Sequence, residues 1–182
     1  MILTGPEILS AVQRGDILIE PFDLCQLEPN SYAFRLESKL LAGRNEFDAK
    51  SQPMLEPIVI PQEGYVLEPD VLYLGLTCER TASDIYAQMI NGNRSTGALG
   101  IWVHVSAPLA HSGSAIRWTL EIRTIKPVRV YPHMIFGKIV FLQTLGRAAR
   151  YGEDKSLRPK YTDDDITASQ LYREFYSDFN RD

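Results

Sequence analysis

Apolar positions along this chain follow two rhythms, a helical stripe near the amino end and period-two alternation or brief apolar runs through the middle. Ile8, Leu9 and Val12 share one helical face directly after Thr4-Gly5-Pro6-Glu7. Thr4 suits a helix cap, Pro6 a first turn, and Glu7 stands three residues after the cap, while Gly15 supplies a stop. A short amino-terminal helix is predicted. Beyond it, Tyr32-Ala33-Phe34-Arg35-Leu36-Glu37 alternates as a half-buried strand does. The runs at 17–19, 58–60, 71–76, 101–105, 128–131 and 135–142 read as further strands. Turn residues at Glu63-Gly64, Glu68-Pro69-Asp70, Pro108, Ser112-Gly113-Ser114 and Lys126-Pro127 separate them. Thr81-Ala82-Ser83-Asp84 predicts one helical turn before a polar loop at Asn93.

Many short strands at close spacing predict a mainly β body, a sandwich, barrel or jelly roll. The charged segment 146–165, with Gly152 and Pro159, reads as a mobile loop. After it Leu171, Tyr172, Phe175, Tyr176 and Phe179 fall at helical spacing, which predicts a carboxy-terminal helix over 166–180. There is no internal repeat, and residues 1–182 read as one domain.

Composition narrows the class. The 182 residues, 45% hydrophobic and 23% charged, suffice for a buried core and suggest a soluble globular protein. No apolar run approaches the roughly 20 residues that cross a bilayer, and no secretory leader is visible. A net charge of −4 argues against general nucleic-acid binding, yet leaves room for one nucleotide held by local cations. Cys25 and Cys78 are far apart and read as free thiols of a reducing, cytoplasmic compartment.

Two segments then stand out chemically. Arg94-Ser95-Thr96 joins a planar guanidinium fork to two hydroxyls, between Gly92 and Gly97 that let a backbone approach an anion. It does not match the P-loop or the dinucleotide glycine fingerprint. Glu121 lies in an alternating strand whose Trp118, Leu120 and Ile122 face inward, and Arg117, Thr119 and Arg123 share its outer face. It is a candidate general base, or one member of a solvated Arg–Glu–Arg face. None of His104, His111 and His133 begins the His-x-Glu and Cys-pair pattern of zinc nucleobase deaminases. His104, inside an apolar run, reads as structural, and His111 opens a turn that could face a pocket. Lys160-Tyr161, after the charged loop, offers a phosphate-binding cation and a ring that could stack on a base.

In order and spacing these pieces resemble the deoxycytidine triphosphate deaminase branch of the dUTPase-like superfamily, over essentially the whole chain. The resemblance is carried by Ile19-Glu20-Pro21-Phe22-Asp23, Gln26-Leu27-Glu28-Pro29-Asn30-Ser31-Tyr32, Arg94-Ser95-Thr96 and Gly100-Ile101-Trp102-Val103-His104-Val105. Thr119-Leu120-Glu121, Tyr131-Pro132-His133-Met134 and Lys160-Tyr161 add to it. It implies a distorted jelly-roll or dUTPase-like β-barrel, a homotrimer with active sites between subunits, and zinc-free hydrolysis at C4 of cytosine to give dUTP and ammonia. Some relatives continue to dUMP. Magnesium is expected to arrive bound to the triphosphate. In this scheme Glu121 takes the water's proton and Ser95 holds the water or a phosphate. Arg94, Thr96, Lys160 and Tyr151 hold the triphosphate, and Ser106-Ala107 line base and sugar.

The chain also departs from that pattern. The family's loop continues to a second arginine beside the water, whereas Gly97-Ala98-Leu99-Gly100 has none. His111 stands where an aspartate is usual, and Ser31-Tyr32-Ala33 replaces Ser-Tyr-Asp. Loss of one charge-stabilising group typically costs about 2.7–4 kcal/mol in the transition state. Arg117, Arg123 or His111 are the candidates to replace the missing cation. The alternatives are a silent nucleotide-binding relative and a pyrophosphatase acting on dUTP or another triphosphate.

Overall fold

The computed structural model describes residues 1–48, 50–146, 149–151 and 165–166. Lys160, Tyr161, nearly all of the expected loop and the expected carboxy-terminal helix lie outside the described residues.

The amino-terminal helix forms as its pattern predicts. Helix α1 spans Gly5–Arg14, buries Ile8 and Ala11, and ends on Gly15 at φ 79°, whose N–H donates to the carbonyls of Ala11 and Val12. That left-handed geometry costs a Cβ-bearing residue energy and costs glycine none. Thr4 holds the cap position, but its side chain makes no capping bond; Pro6 supplies the helical start instead.

The rest is mainly β, as expected. In chain order come β1 (Leu18–Glu20), β2 (Leu27–Glu28), β3 (Ser31–Gly43), β4 (Glu56–Val59), β5 (Tyr65–Leu67), β6 (Leu72–Ala82) and β7 (Tyr86–Gly92). Helix α2 (Arg94–Ala98) precedes β8 (Ile101–Trp102), β9 (Leu109–Ala110), β10 (Ala115–Thr124), β11 (Val128–Val130) and β12 (Ile135–Gln143). Among the described residues one sheet runs β8-β10-β6-β3-β12-β7-β9, with β1 on β6, β2 and β4 on β3, while β5 and β11 pair apart. Strand β3 joins its two halves. Tyr32–Arg35 pair with β12, whereas Leu36–Gly43 pair with β6 across an irregularity between Leu36 and Leu40. The core between them includes the fully buried Tyr32, Phe34, Leu36, Tyr73, Leu120, Phe136 and Phe141. Burying each such side chain stabilises the fold by roughly 1.5–3 kcal/mol.

Two expectations are corrected. Thr81 and Ala82 end β6, and no helical turn follows; β7 begins at Tyr86 instead. That strand hides from a hydrophobic pattern because an inward position is Gln88, fully buried and bonded by the Thr81 hydroxyl. The expected strand at 101–105 ends at Trp102, and Val103 to Pro108 form an irregular loop.

Candidate active site

The segment expected as a polar loop at Arg94 is a helical turn. Asn93 caps it by accepting from the Thr96 N–H at 2.9 Å, while the Thr96 hydroxyl accepts from the Asn93 N–H at 3.0 Å, closing a reciprocal capping box. Thr96 is therefore buried and its hydroxyl engaged, whereas Arg94 and Ser95 are exposed. Arg94 makes no hydrogen bond or ion pair among the described residues, so its fork is open to an anion. Gly100, at φ 73°, ends the turn where a Cβ would stand 2.3 Å from Ile125. The close approach fixes α2 against the end of β10.

Glu121 sits midway along β10, with Leu120 and Ile122 buried on either side as the alternation predicts. Its Oε2 accepts from the Ser106 N–H at 2.9 Å and from the Ser106 hydroxyl at 3.4 Å. The His104 Nε2 lies 3.9 Å from the same oxygen. The Glu121 side chain retains 31% exposure and His104 only 8%, so a half-open carboxylate leans on a buried imidazole. Burial pushes His104 below its ordinary value, against the Glu121 carboxylate, which favours the charged ring. Ala107, in the same loop, holds a left-handed φ of 50°, a conformation disfavoured for a residue with a Cβ.

A groove of about 500 Å³ connects this loop to α2, lined in part by Asn93, Gly97, Trp102, His104, Val105 and Ile125. Its rim is apolar and wet: Trp102, Val105 and Ile125 are 56%, 52% and 59% exposed. Such a patch on a folded domain marks a contact surface.

The remaining residues divide. His111 and Tyr151 come together, rings stacked with centroids 5.8 Å apart, and the Tyr151 N–H donates to the Ser112 carbonyl at 2.9 Å. Arg117 is committed elsewhere, donating to the Thr77 carbonyl at 2.9 Å and to Glu37 at 2.8 Å. Neither Arg123 nor His111 contacts Glu121 among the described residues, so none of the three proposed substitutes for the missing cation reaches it here. The residue that does is His104, which the sequence pattern assigned a structural part. A signal existed: Arg123 pairs with Trp102 and Thr124 with Ile101, and continuing that antiparallel register by two residues sets His104 opposite Glu121.

A mainly antiparallel β body carries, on different elements, an oriented carboxylate and an open guanidinium, groups that suit hydrolysis of an anionic substrate. The dCTP deaminase-like family profile matches residues 2–144, and the chain belongs to that family. It is 41% identical over 176 residues to the dCTP deaminase, dUMP-forming, of Cytophaga hutchinsonii, covering 96% of this chain and 99% of that one. A dCTP deaminase, dUMP-forming, of Clostridium botulinum is 39% identical with the same coverage. In fold the chain is similar to the crystal structure of the deoxycytidine triphosphate deaminase of Agrobacterium tumefaciens, with a TM-score of 0.62 at 24% identity. That match covers 77% of this chain and 47% of the other. The dUTPase-like β architecture expected from the resemblance is thereby established.

Proposed function

We propose that this chain deaminates dCTP and carries the product on to dUMP. The observation that carries the proposal is the Glu121 carboxylate, held by Ser106 of the loop that lines an open groove, in a chain about 40% identical, end to end, to enzymes named dUMP-forming dCTP deaminases. Those names correct the expectation that the product would be dUTP. They lend no support to a silent or purely pyrophosphate-releasing relative.

In the proposed reaction Glu121 removes a proton from a water attacking C4 of cytosine, forming the C–O bond. Glu121 returns that proton to N3, the second proton of the same water passes to the departing amine, and ammonia leaves as the C–N bond breaks. A second water attacks the α-phosphorus and releases pyrophosphate. Ser95 would hold the attacking water or a phosphate oxygen, with Arg94 and Lys160 on the triphosphate. Thr96 serves by closing the turn that presents Arg94, because its hydroxyl is engaged in the capping box. Ser106 and Ala107 would line base and sugar, and Tyr151, Tyr161 and His111 would border the nucleoside.

Magnesium would be held through the triphosphate oxygens, shielding charge at the α-phosphorus; among the described residues no three metal-ligating side chains converge. The exposed apolar rim of the groove supports a homotrimer in which a neighbouring subunit completes the site. The test is incubation with deoxynucleoside triphosphates and magnesium, read by chromatography and ammonia release. Stoichiometric ammonia and dUMP from dCTP is expected. Turnover of dUTP with none of dCTP would defeat the proposal, and a monomer by light scattering would defeat the shared site.

A further inference from the structure

We infer that His104 is a positioning residue for Glu121, fixing the carboxylate so that Oε1, and not Oε2, meets the reacting water. The inference deepens the deaminase reading, and its catalytic part rests on that reading. Every partner of the carboxylate gathers on one oxygen: the Ser106 N–H at 2.9 Å, the Ser106 hydroxyl at 3.4 Å and the His104 Nε2 at 3.9 Å all address Oε2. Among the described residues Oε1 has none, so its lone pairs are the ones available to abstract a proton. A base restrained through one oxygen and free at the other is oriented without losing its reactivity.

The imidazole is placed for this by the backbone. The β8–β10 register sets His104 across from Glu121, although the ladder itself stops at Trp102. Its side chain is 8% exposed, which holds the ring in one place. Its Nδ1 is buried and has no partner. The Ala107 backbone, in the same loop, also acts on the ring and, like the carboxylate, favours its charged form. At 3.9 Å the contact is longer than a hydrogen bond, and such catalytic contacts tighten when substrate binds. Among the described residues Glu121, from β10, is the one charged group that acts on the ring, and its own loop adds only the uncharged Ala107 backbone.

The pairing is tested without activity by NMR titration of the His104 imidazole in the full-length protein and in Glu121→Gln. The carboxylate favours the protonated ring, so its removal should lower the titration midpoint. An unmoved midpoint overturns the pairing. The positioning part is tested by kinetics. His104→Ala should lower kcat about 10-fold with little change in KM and move the acid limb of kcat/KM to higher pH. His104→Gln, which returns an amide donor near the place of Nε2, should recover most of both. Wild-type kcat and pH profile in His104→Ala overturns the positioning part, as does a Gln variant that folds, keeps its trimer and is no better than Ala. Should the wild-type protein release no ammonia from dCTP, the deaminase reading falls, while the titration still decides the pairing.

Discussion

Two carboxylates on neighbouring strands of one sheet have opposite surroundings. Glu79, on β6, is fully buried and accepts from the Arg35 Nε at 2.8 Å, the Arg35 N–H at 2.9 Å and the Gln26 Nε2 at 3.0 Å, so both of its oxygens are satisfied. Glu121, on β10, is partly open and its donors crowd one oxygen. The first arrangement locks the turn before β2 to β3 and β6 and leaves neither oxygen free. The second fixes one oxygen and keeps the other uncommitted, as the proposed base requires. Saturation of the oxygens, and not strand geometry, is what separates the two carboxylates.

Isosteric removal of charge should separate the two roles. Glu121→Gln should reduce dCTP turnover by about 10²–10⁴, the usual worth of general-base catalysis, with thermal stability close to wild type. Steady-state kinetics and calorimetry on the same preparation check it, and a large loss of stability would erase the contrast. Glu79→Gln should do the reverse, because Arg35 and a buried site lose their counter-charge. Breaking such a pair costs about 3 kcal/mol, which lowers the melting midpoint by several degrees in a domain of this size. Retained stability would show the network to be dispensable.

The smallest effect concerns a third carboxylate, Glu37, whose partner is Arg117. Burial pushes Glu37 up, but the Ser38 N–H, Arg117 and the Ser38 hydroxyl outweigh it and hold it at about 2, against an ordinary 4.5. A depressed carboxyl contributes stability that is present above its ordinary value and lost as the pH falls toward about 2. Glu37→Gln should therefore flatten the stability profile between pH 4.5 and about 2 and leave its shape near neutrality unchanged. Denaturant midpoints across that range measure it.

How much of this was legible beforehand depended on whether a position's physics was local. Helix α1, the alternation around Glu121 and the strands at β3, β6, β11 and β12 followed from short-range apolar spacing. So did the prominence of Arg94-Ser95-Thr96, although the capping box that turns it into a helix was read as a loop. Strand β7 was hidden because Gln88 is polar and inward, which only its bond to Thr81 explains. His104 was hidden for the opposite reason: Ile101-Trp102-Val103-His104-Val105 has the rhythm of a strand, but the backbone leaves the ladder after Trp102. Its partner lies 17 residues away, and only strand pairing brings them together. The stacking of His111 on Tyr151 spans a still longer separation and leaves no local trace.

Strand β3 has a consequence of its own. From it one chain of pairings leads through β12 and β7 to the turn bearing Arg94, and another leads through β6 to the strand bearing Glu121. It thus acts as a common ruler for both ends of the proposed site. A single-residue deletion within Ser31–Gly43 would turn one half of the strand inside out relative to the other. Guanidinium and carboxylate would then be displaced together, though neither would have been touched.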